Sequence, residues 1–567
     1  MSSTHSVFRP HDPERTETEL ELSTSTRTTN APVNAPVPMG TLDELAAYLT
    51  DGYWQDNGLL RHSFDTSLSN KIRVDLNALP PEAQALARAA MQAWKSVADI
   101  RFVEVRNGAQ ITFTDNQPGA YSAFSYIGEY TQSATVNISA DWLANYGSEL
   151  DDYSFLVYMH ELGHALGLGH QGDYNGAANF DTDAVFGNDS YQMSVMSYFS
   201  QTQNNNANAS YALPLTAMSA DIVAMQALYG KPGNASATGG KTVYGYNQTV
   251  GGYLGLYFDI LTTGQDPDNM LGNGPVAMTI YDRSGRDTVD FRTDSNDQQV
   301  DLSDQGIWDV FGLTGNVVLA GGTVIENYIA GSGNDWVKGN GARNKISGGR
   351  NEDTLNGLGG NDTLNGDGGR DTLLGGGGKD QINGGTGKDQ INGGTGRDVI
   401  DGGAGNDALT GGAGHDLISG GDGRDNILGG SGNDTLNGDG GNDTITGGGG
   451  HDLINGGIGS DTLRGDGSQD ILNGGLGDDS LTGGNGADDF VFDPGFGQDT
   501  ITDFRNDMDE LHLDDALWSG SLSAQDVINT FASSANGSTT LDFGNGNLIV
   551  LTGIANAQNL IDDIVIF

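Results

Sequence analysis

From Asp335 to Asp488 an aspartate returns every nine residues, 18 units in one phase, with Asn344 the single substitution. The position two after each is apolar in every unit, from Val337, Ile346, Leu355 and Leu364 to Leu481 and Phe490. Most units carry glycine five, four and two positions before the aspartate, as Gly402, Gly403 and Gly405 do before Asp407. A flexible linker has no reason to hold an apolar residue in phase, whereas a solenoid must bury one per unit between stacked short strands. The glycines allow tight turns that aim carbonyl oxygens inward, and the aspartate adds a carboxylate. Calcium takes about six to eight hard oxygens, so adjacent loops must share each ion. The pattern therefore predicts an all-β parallel β-roll over 331–493 that binds several structural Ca2+ ions. Its ligands would be Asp335, Asp353, Asp362, Asp371, Asp380, Asp389, Asp398, Asp407, Asp416, Asp425, Asp434, Asp443, Asp452, Asp461, Asp470, Asp479 and Asp488.

Charge and composition agree with bound cations. Among 567 residues, 26 Lys and Arg stand against 75 Asp and Glu, a formal charge of -49. Such a surface repels nucleic acid and anionic membranes. The absence of cysteine excludes disulfides, thiol nucleophiles, cysteine zinc sites and latency through a propeptide thiol. No apolar run approaches a membrane span, and the N-terminus lacks the apolar core of a cleavable signal, so export would need another address.

Ahead of the repeats the text differs. Residues 1–40, polar with Pro32, Pro36 and Pro38, read as a disordered lead or propeptide. Thr41-x-x-Glu44 is a capping box for a first helix, and Pro80-Pro81 opens a second. Strand-like runs follow at 100–105, 111–113 and 135–138; helices are expected over about 152–167 and from Ala217 to Tyr229, stopped by Gly230. Helices mixed with a few strands over 41–235 indicate an α+β domain. From about 236 helical signals vanish, so 236–330 reads as a β-rich connecting region of the C-terminal domain and 494–567 as a β cap.

One helix carries chemistry: His160-Glu161-Leu162-Gly163-His164, then Gly167 and His170. Histidines four apart share a helix face and can offer one metal two imidazole nitrogens. Glu161 projects beside that metal, placed to take a proton from its water. A third ligand six residues past His164 needs a sharp turn, which Gly167 permits. Three histidines leave an open position, the mark of a catalytic zinc.

These residues resemble the metzincin zinc metallopeptidases, whose signature adds a downstream methionine turn, here Ser194-Val195-Met196-Ser197-Tyr198. The wording is closest to the serralysins, bacterial exported enzymes, through Gly172-Asp173-Tyr174-Asn175, the Asp221 to Gly230 helix end and the repeats. Gln171 stands where that family has proline, which bears on loop stiffness rather than the ligand set. The resemblance implies a metzincin-like catalytic domain, a zymogen, Met196 as a hydrophobic floor under the metal, and Tyr198 as a displaceable zinc ligand that also bonds the oxyanion. It implies that Ala120, Tyr121, Ser122, Ala123 and Phe124 form an edge strand pairing with extended substrate. Further calcium ligands would be Asp282, Asp287 and Glu326. The tail Asp562 to Phe567 would belong to a signal for type I export machinery, though by itself it reads equally as a final strand.

The expected protein is thus a secreted, extracellular, monomeric zinc endopeptidase of broad specificity, acting on proteins or peptides. Zinc would activate water, with Glu161 as general base, and calcium would stabilise the fold. A non-catalytic calcium-dependent adhesin or matrix protein is the competing reading. The repeats also accompany lipases, but the chain has no G-x-S-x-G elbow.

Overall fold

The computed structural model describes residues 2–8, 37–176, 178–233, 238–267 and 269–567. Two compact units divide them: Met1–Thr288 with Asp304–Val324, and Val289–Ser303 with Ile325–Phe567. Parts of the stretch read as a connector, 238–288 and 304–324, thus belong with the first unit.

Strands β1 (Ser2–Phe8), β2 (Ser63–Phe64), β3 (Lys71–Asp75), β4 (Arg101–Glu104), β5 (Ile111–Thr114), β6 (Ala120–Ile127) and β7 (Tyr130–Ile138) form the first unit's main sheet. Its order is β1-β6-β7-β5-β3-β4, with β2 on β7. The pairs β3/β4, β3/β5 and β5/β7 are parallel, whereas β6 is antiparallel to β7 and to β1. Residues 2–8, read with the lead, are therefore a strand; 9–36 lie outside the described residues.

Helix α1 (Leu42–Ala47) starts on the expected capping box, where the Glu44 amide donates to Thr41 Oγ1 and the Thr41 amide to Glu44. The chain continues through one widened turn into α2 (Tyr53–Asp56). Helix α3 (Pro81–Val97) buries Leu86, Ala90 and Trp94 on one face. After α4 (Ala140–Tyr146) comes α5 (Tyr153–Leu166), which is buried along its whole length. A short α6 (Phe180–Asp183) and α7 (Ser219–Tyr229) follow.

One sequence reading fails here. Helical structure does not end at 236, because α8 spans Gly252–Thr263 and a further helix spans Ala524–Phe531. The α8 text, GYLGLYFDILTT, is rich in glycine, aromatic and β-branched residues, so local propensity points away from helix while tertiary burial of Tyr257, Phe258 and Ile260 favours it.

The second unit is the β-roll. Successive nine-residue units alternate between two parallel sheets, so neighbours within a sheet are 18 residues apart: Leu364 pairs with Ile382 in one, Leu355 with Leu373 in the other. Every in-phase apolar residue from Val337 to Phe490 is buried between the sheets. The glycines are needed where turns stack. Gly403 has φ 95°, and a Cβ there would overlap the Gly385 carbonyl oxygen of the turn 18 residues earlier. Beyond the array, Ser538–Gly544 and Asn547–Thr552 form an antiparallel hairpin, and Ile564–Ile566 closes one sheet as a parallel strand beside Glu510–Leu513.

Candidate functional site: a three-histidine cleft and a carboxylate roll

His160 and His164 lie one turn apart on α5, and Gly167 ends that helix in the left-handed region at φ 109°. A Cβ at Gly167 would overlap the His62 carbonyl oxygen. The turn sends His170 back to its partners. His170 Nε2 lies 3.3 Å from His160 Nε2 and 3.0 Å from His164 Nε2. Three neutral imidazoles at this separation fit a single cation that accepts a nitrogen from each.

Their other nitrogens set the tautomers. His160 Nδ1 donates to the Val195 carbonyl at 2.9 Å and His164 Nδ1 to the Leu168 carbonyl at 2.8 Å, which leaves each Nε2 with its lone pair. Burial first, and His164 second, hold the His160 imidazole well below the usual histidine range, so it stays neutral. Glu161 is completely buried beside them, and neither carboxylate oxygen has a hydrogen-bond partner among the described residues. Burial pushes its carboxyl well above the usual range. An uncompensated buried carboxyl of this kind is costly, and a cation held by the three histidines would compensate it.

The methionine turn forms the floor. A Cβ at Gly163 would meet Met196 Sδ, so the thioether packs against α5 between the two helical histidines. Buried Asp221, on α7, holds this turn: it accepts from the Val195 amide at 2.8 Å, the Met218 amide at 2.9 Å and Ser194 Oγ at 2.6 Å. Burial raises its carboxyl to about 7. Because Val195 in turn accepts from His160, Asp221 orients that ligand at one remove. The Tyr198 ring sits 4.6 Å from His170 and 5.7 Å from His160, centroid to centroid.

The structure brings in residues that the motif did not flag. The Tyr53 ring packs edge-on to His170 at 5.0 Å, and burial followed by Asp173 and Glu161 raises its hydroxyl pKa. Trp54 Nε1 donates to the Gly167 carbonyl at 2.9 Å. Gln171 is buried, and its amide atoms have no hydrogen-bond partner among the described residues. The only local signal for Tyr53 and Trp54 was the apolar periodicity of the preceding helix, whereas Gln171 stood out by replacing a proline.

Within the expected substrate strand, Ala120, Ser122 and Phe124 turn inward while Tyr121 and Ala123 are half-buried. Phe124 packs on Trp54 at 5.6 Å, and Trp54 lies 6.5 Å from His164, which ties β6 to the cleft. The outer edge of β6 is taken by β1, with Ser2 opposite Ser125 and His5 opposite Ser122.

In the roll, each in-phase amide from Asp335 to Asp470 donates to the carboxylate 18 residues on, as Asp389 does to Asp407 Oδ1 at 2.8 Å. The second oxygen is different. In Asp353 and every in-phase aspartate from Asp362 to Asp479, Oδ2 is buried without a hydrogen-bond partner among the described residues. Burial raises these carboxyls, and at some of them like charge in neighbouring turns adds to it, to about 6 at Asp407, about 7 at Asp470 and about 8 at Asp353. Hard, crowded, orphaned oxygens fit calcium. The two ends stand apart: Asp335 Oδ2 accepts from the Gly331 amide, and Asp488 Oδ2 lies 3.4 Å from Arg505 Nη2. Where the array stops, the chain supplies its own cation. Asn344 supplies its own donor, Nδ2 reaching the Glu326 carbonyl at 3.3 Å. Asp499, eleven residues past Asp488 and so out of phase, has the same orphaned Oδ2 and is raised to about 8 by burial first.

Outside the array, Asp282 and Asp287 are buried together. Asp282 accepts from Tyr244 at 2.9 Å and Asp287 from the Thr242 amide at 2.6 Å; burial, then Asp287, raises Asp282 to about 7. Glu326 is half-buried, and its carbonyl accepts from the Lys345 amide.

A buried three-histidine helix-and-turn site over a methionine floor in the first unit defines a metzincin-like catalytic domain, and the carboxylate-lined parallel strands of the second unit define a β-roll. Residues 78–220 match the profile of the reprolysin-like metallo-peptidase family M12B, and 233–425 that of the peptidase M10 serralysin C terminal. The RTX calcium-binding nonapeptide repeat matches four times between 419 and 501. Over these regions the chain is similar to the serralysins.

Similar curated proteins include metallopeptidase AprA of Pseudomonas marginalis, 35% identical over 47% of this chain and 55% of that one. Serralysin of Photorhabdus luminescens is 34% identical over 48% and 55%, and serralysin C of Dickeya chrysanthemi 34% identical over 52% and 63%. The matched region thus spans a little over half the length of these relatives. Among solved structures, extracellular lipase LipA from Serratia marcescens is 18% identical over 44% of each chain with a TM-score of 0.16, a likeness too slight to bear on the fold.

Proposed function

We propose that this chain is a calcium-stabilised zinc endopeptidase that hydrolyses peptide bonds of proteins with broad specificity. One observation carries the reading: three Nε2 atoms converge beside the buried, partnerless Glu161 carboxylate. His160, His164 and His170 would hold the zinc, which supplies the Lewis acidity that brings a water's pKa toward about 7 and polarises the scissile carbonyl. Glu161 would accept the water proton and return it to the leaving amine. The Tyr198 hydroxyl would serve as a hydrogen-bond donor to the developing oxyanion. Met196 keeps the floor apolar, and β6 pairs with extended substrate through main-chain hydrogen bonds, which favours breadth over side-chain choice.

Strand β1 lies on that same edge, so substrate pairs there only once residues 2–8 have left it. Calcium would occupy the orphaned roll oxygens, with adjacent turns sharing each ion, and the Asp282–Asp287 pair would take another. Such a protein stays loosely folded where calcium is scarce and locks where it is plentiful. This suits extracellular release, through type I export machinery, as a monomer. No helix of the described residues is long and apolar enough to cross a membrane.

The test is incubation with casein, with and without a zinc chelator, beside Glu161→Ala. Chelator-sensitive cleavage that the variant lacks is expected. Cleavage persisting in Glu161→Ala overturns the assigned base, and none in the wild type overturns the enzyme reading.

A further inference from the structure

Two buried polar side chains behind the cleft have no part in the chemistry above. The Tyr174 hydroxyl donates to Asp189, lying 3.2 Å from Oδ1 and 3.0 Å from Oδ2, and the Ser197 side chain hydrogen-bonds the same carboxylate. The Tyr174 oxygen then accepts from the Tyr198 backbone amide at 3.4 Å. Its ring lies 4.8 Å from the Tyr198 ring and 5.4 Å from His170, and Phe199 closes the cluster edge-on at 5.2 Å. Asp189 is itself anchored, since its carbonyl accepts from Asn204 Nδ2 at 3.0 Å.

A hydroxyl whose proton is committed to a buried carboxylate must point its lone pair elsewhere, and here that is the amide from which the Tyr198 side chain hangs. The carboxylate fixes the hydroxyl, the hydroxyl fixes the amide, and the ring face limits the arc through which Tyr198 can swing. The bond to the Asp189 carboxylate is charge-assisted and so of the stronger class, while the Tyr198 amide contact is a neutral one.

We infer that the Tyr174–Asp189 pair is a positioning device that sets the reach of the Tyr198 hydroxyl relative to the three histidines. Tyr174 and Asp189 are positioning residues, acting through Tyr198. The inference rests on the peptidase reading for its kinetic test only.

The calcium-loaded full chain is compared as wild type, Tyr174→Phe, Tyr198→Phe and the double variant. Tyr174→Phe keeps the ring and removes the hydroxyl. It should lower kcat by up to about tenfold while KM moves less than about twofold. In the Tyr198→Phe background the same change should cost less than about twofold, because no hydroxyl is left to position. A Tyr174→Phe penalty of equal size in both backgrounds overturns the inference.

The second readout needs no turnover. In the copper-substituted protein a phenolate-to-copper absorption band should be present in the wild type, absent in Tyr198→Phe, and shifted or weakened in Tyr174→Phe. If the wild type fails to cleave casein, the peptidase reading falls and the band decides. A band that responds to Tyr174→Phe supports the positioning role; a band that ignores it, or no band in the wild type, overturns it.

Discussion

The cleft and the roll both bury carboxylate oxygens that have no hydrogen-bond partner among the described residues, but they assemble them in opposite ways. In the cleft every contact occurs once. His160 leans on the Val195 carbonyl, Gly167 turns against His62, and Asp221 reaches across 26 residues to the Val195 amide. In the roll a single contact, an amide to a carboxylate 18 residues on, recurs in turn after turn. Displacing one cleft element moves a unique ligand set, whereas damage to one roll turn leaves its neighbours' pattern intact. The roll in turn concentrates like charge, which cations along its length would offset.

The largest expected effect tests the cleft alone. Glu161→Ala should lower kcat by about 10²–10⁴-fold with bound zinc and circular dichroism unchanged. Metal loss in this variant would show that the two roles are not separable.

Calcium removal should do the reverse, affecting the roll first. At pH 8 in chelator, much of the β-type circular dichroism should disappear and return on calcium titration. The pH dependence without calcium has a definite sign. The roll carboxyls are raised from 3.8, to about 6 at Asp407 and about 8 at Asp353 and Asp499, so the fold binds more protons than the unfolded chain in that window. Their stabilisation is fully present below about pH 4 and is lost as pH rises through about 6 to 8. Calcium-free protein should therefore gain roll structure on acidification from pH 8 to pH 5, while calcium affinity falls over the same range. A calcium-free roll that is most stable at pH 8 would contradict the like-charge account.

Smaller effects sharpen the contrast. Removing residues 2–8 should raise kcat/KM by at least about twofold by freeing the β6 edge; an unchanged value would show that β1 does not compete with substrate. Gly403→Ala should destabilise the roll by about 1–3 kcal/mol through strain at positive φ, read as a lower unfolding temperature at fixed calcium with zinc binding unaltered. Trp54→Phe should cost about 1 kcal/mol by removing the donor to Gly167, read as a shift in the first unit's unfolding.

Much of this molecule is legible in its text because local rules and global fold agree. The capping box at Thr41, the helix stop at Gly230 and the nine-residue phase each act through neighbours in sequence, and each appears where chain chemistry places it. Helix α8 escapes because its residues favour other local states and only burial makes it helical. Asp499 escapes because the chain takes eleven residues, not nine, to bring it under Asp479. Asp189 and Tyr174 escape because a buried hydroxyl–carboxylate pair has no spacing rule.

By itself the sequence determined the kinds of chemistry present: a two-histidine helix, a glycine-permitted turn to a third, and an apolar phase requiring stacked strands. Those follow from periodicity, which is local and additive. Tertiary structure alone decided that Val195 and Leu168 fix the tautomers, that Glu161 has no hydrogen-bond partner among the described residues, and that β1 lies on the outer edge of β6. It also decided that Arg505 closes the carboxylate series. Each depends on burial and on contacts between residues far apart in the chain, and that information appears only when the chain has closed on itself.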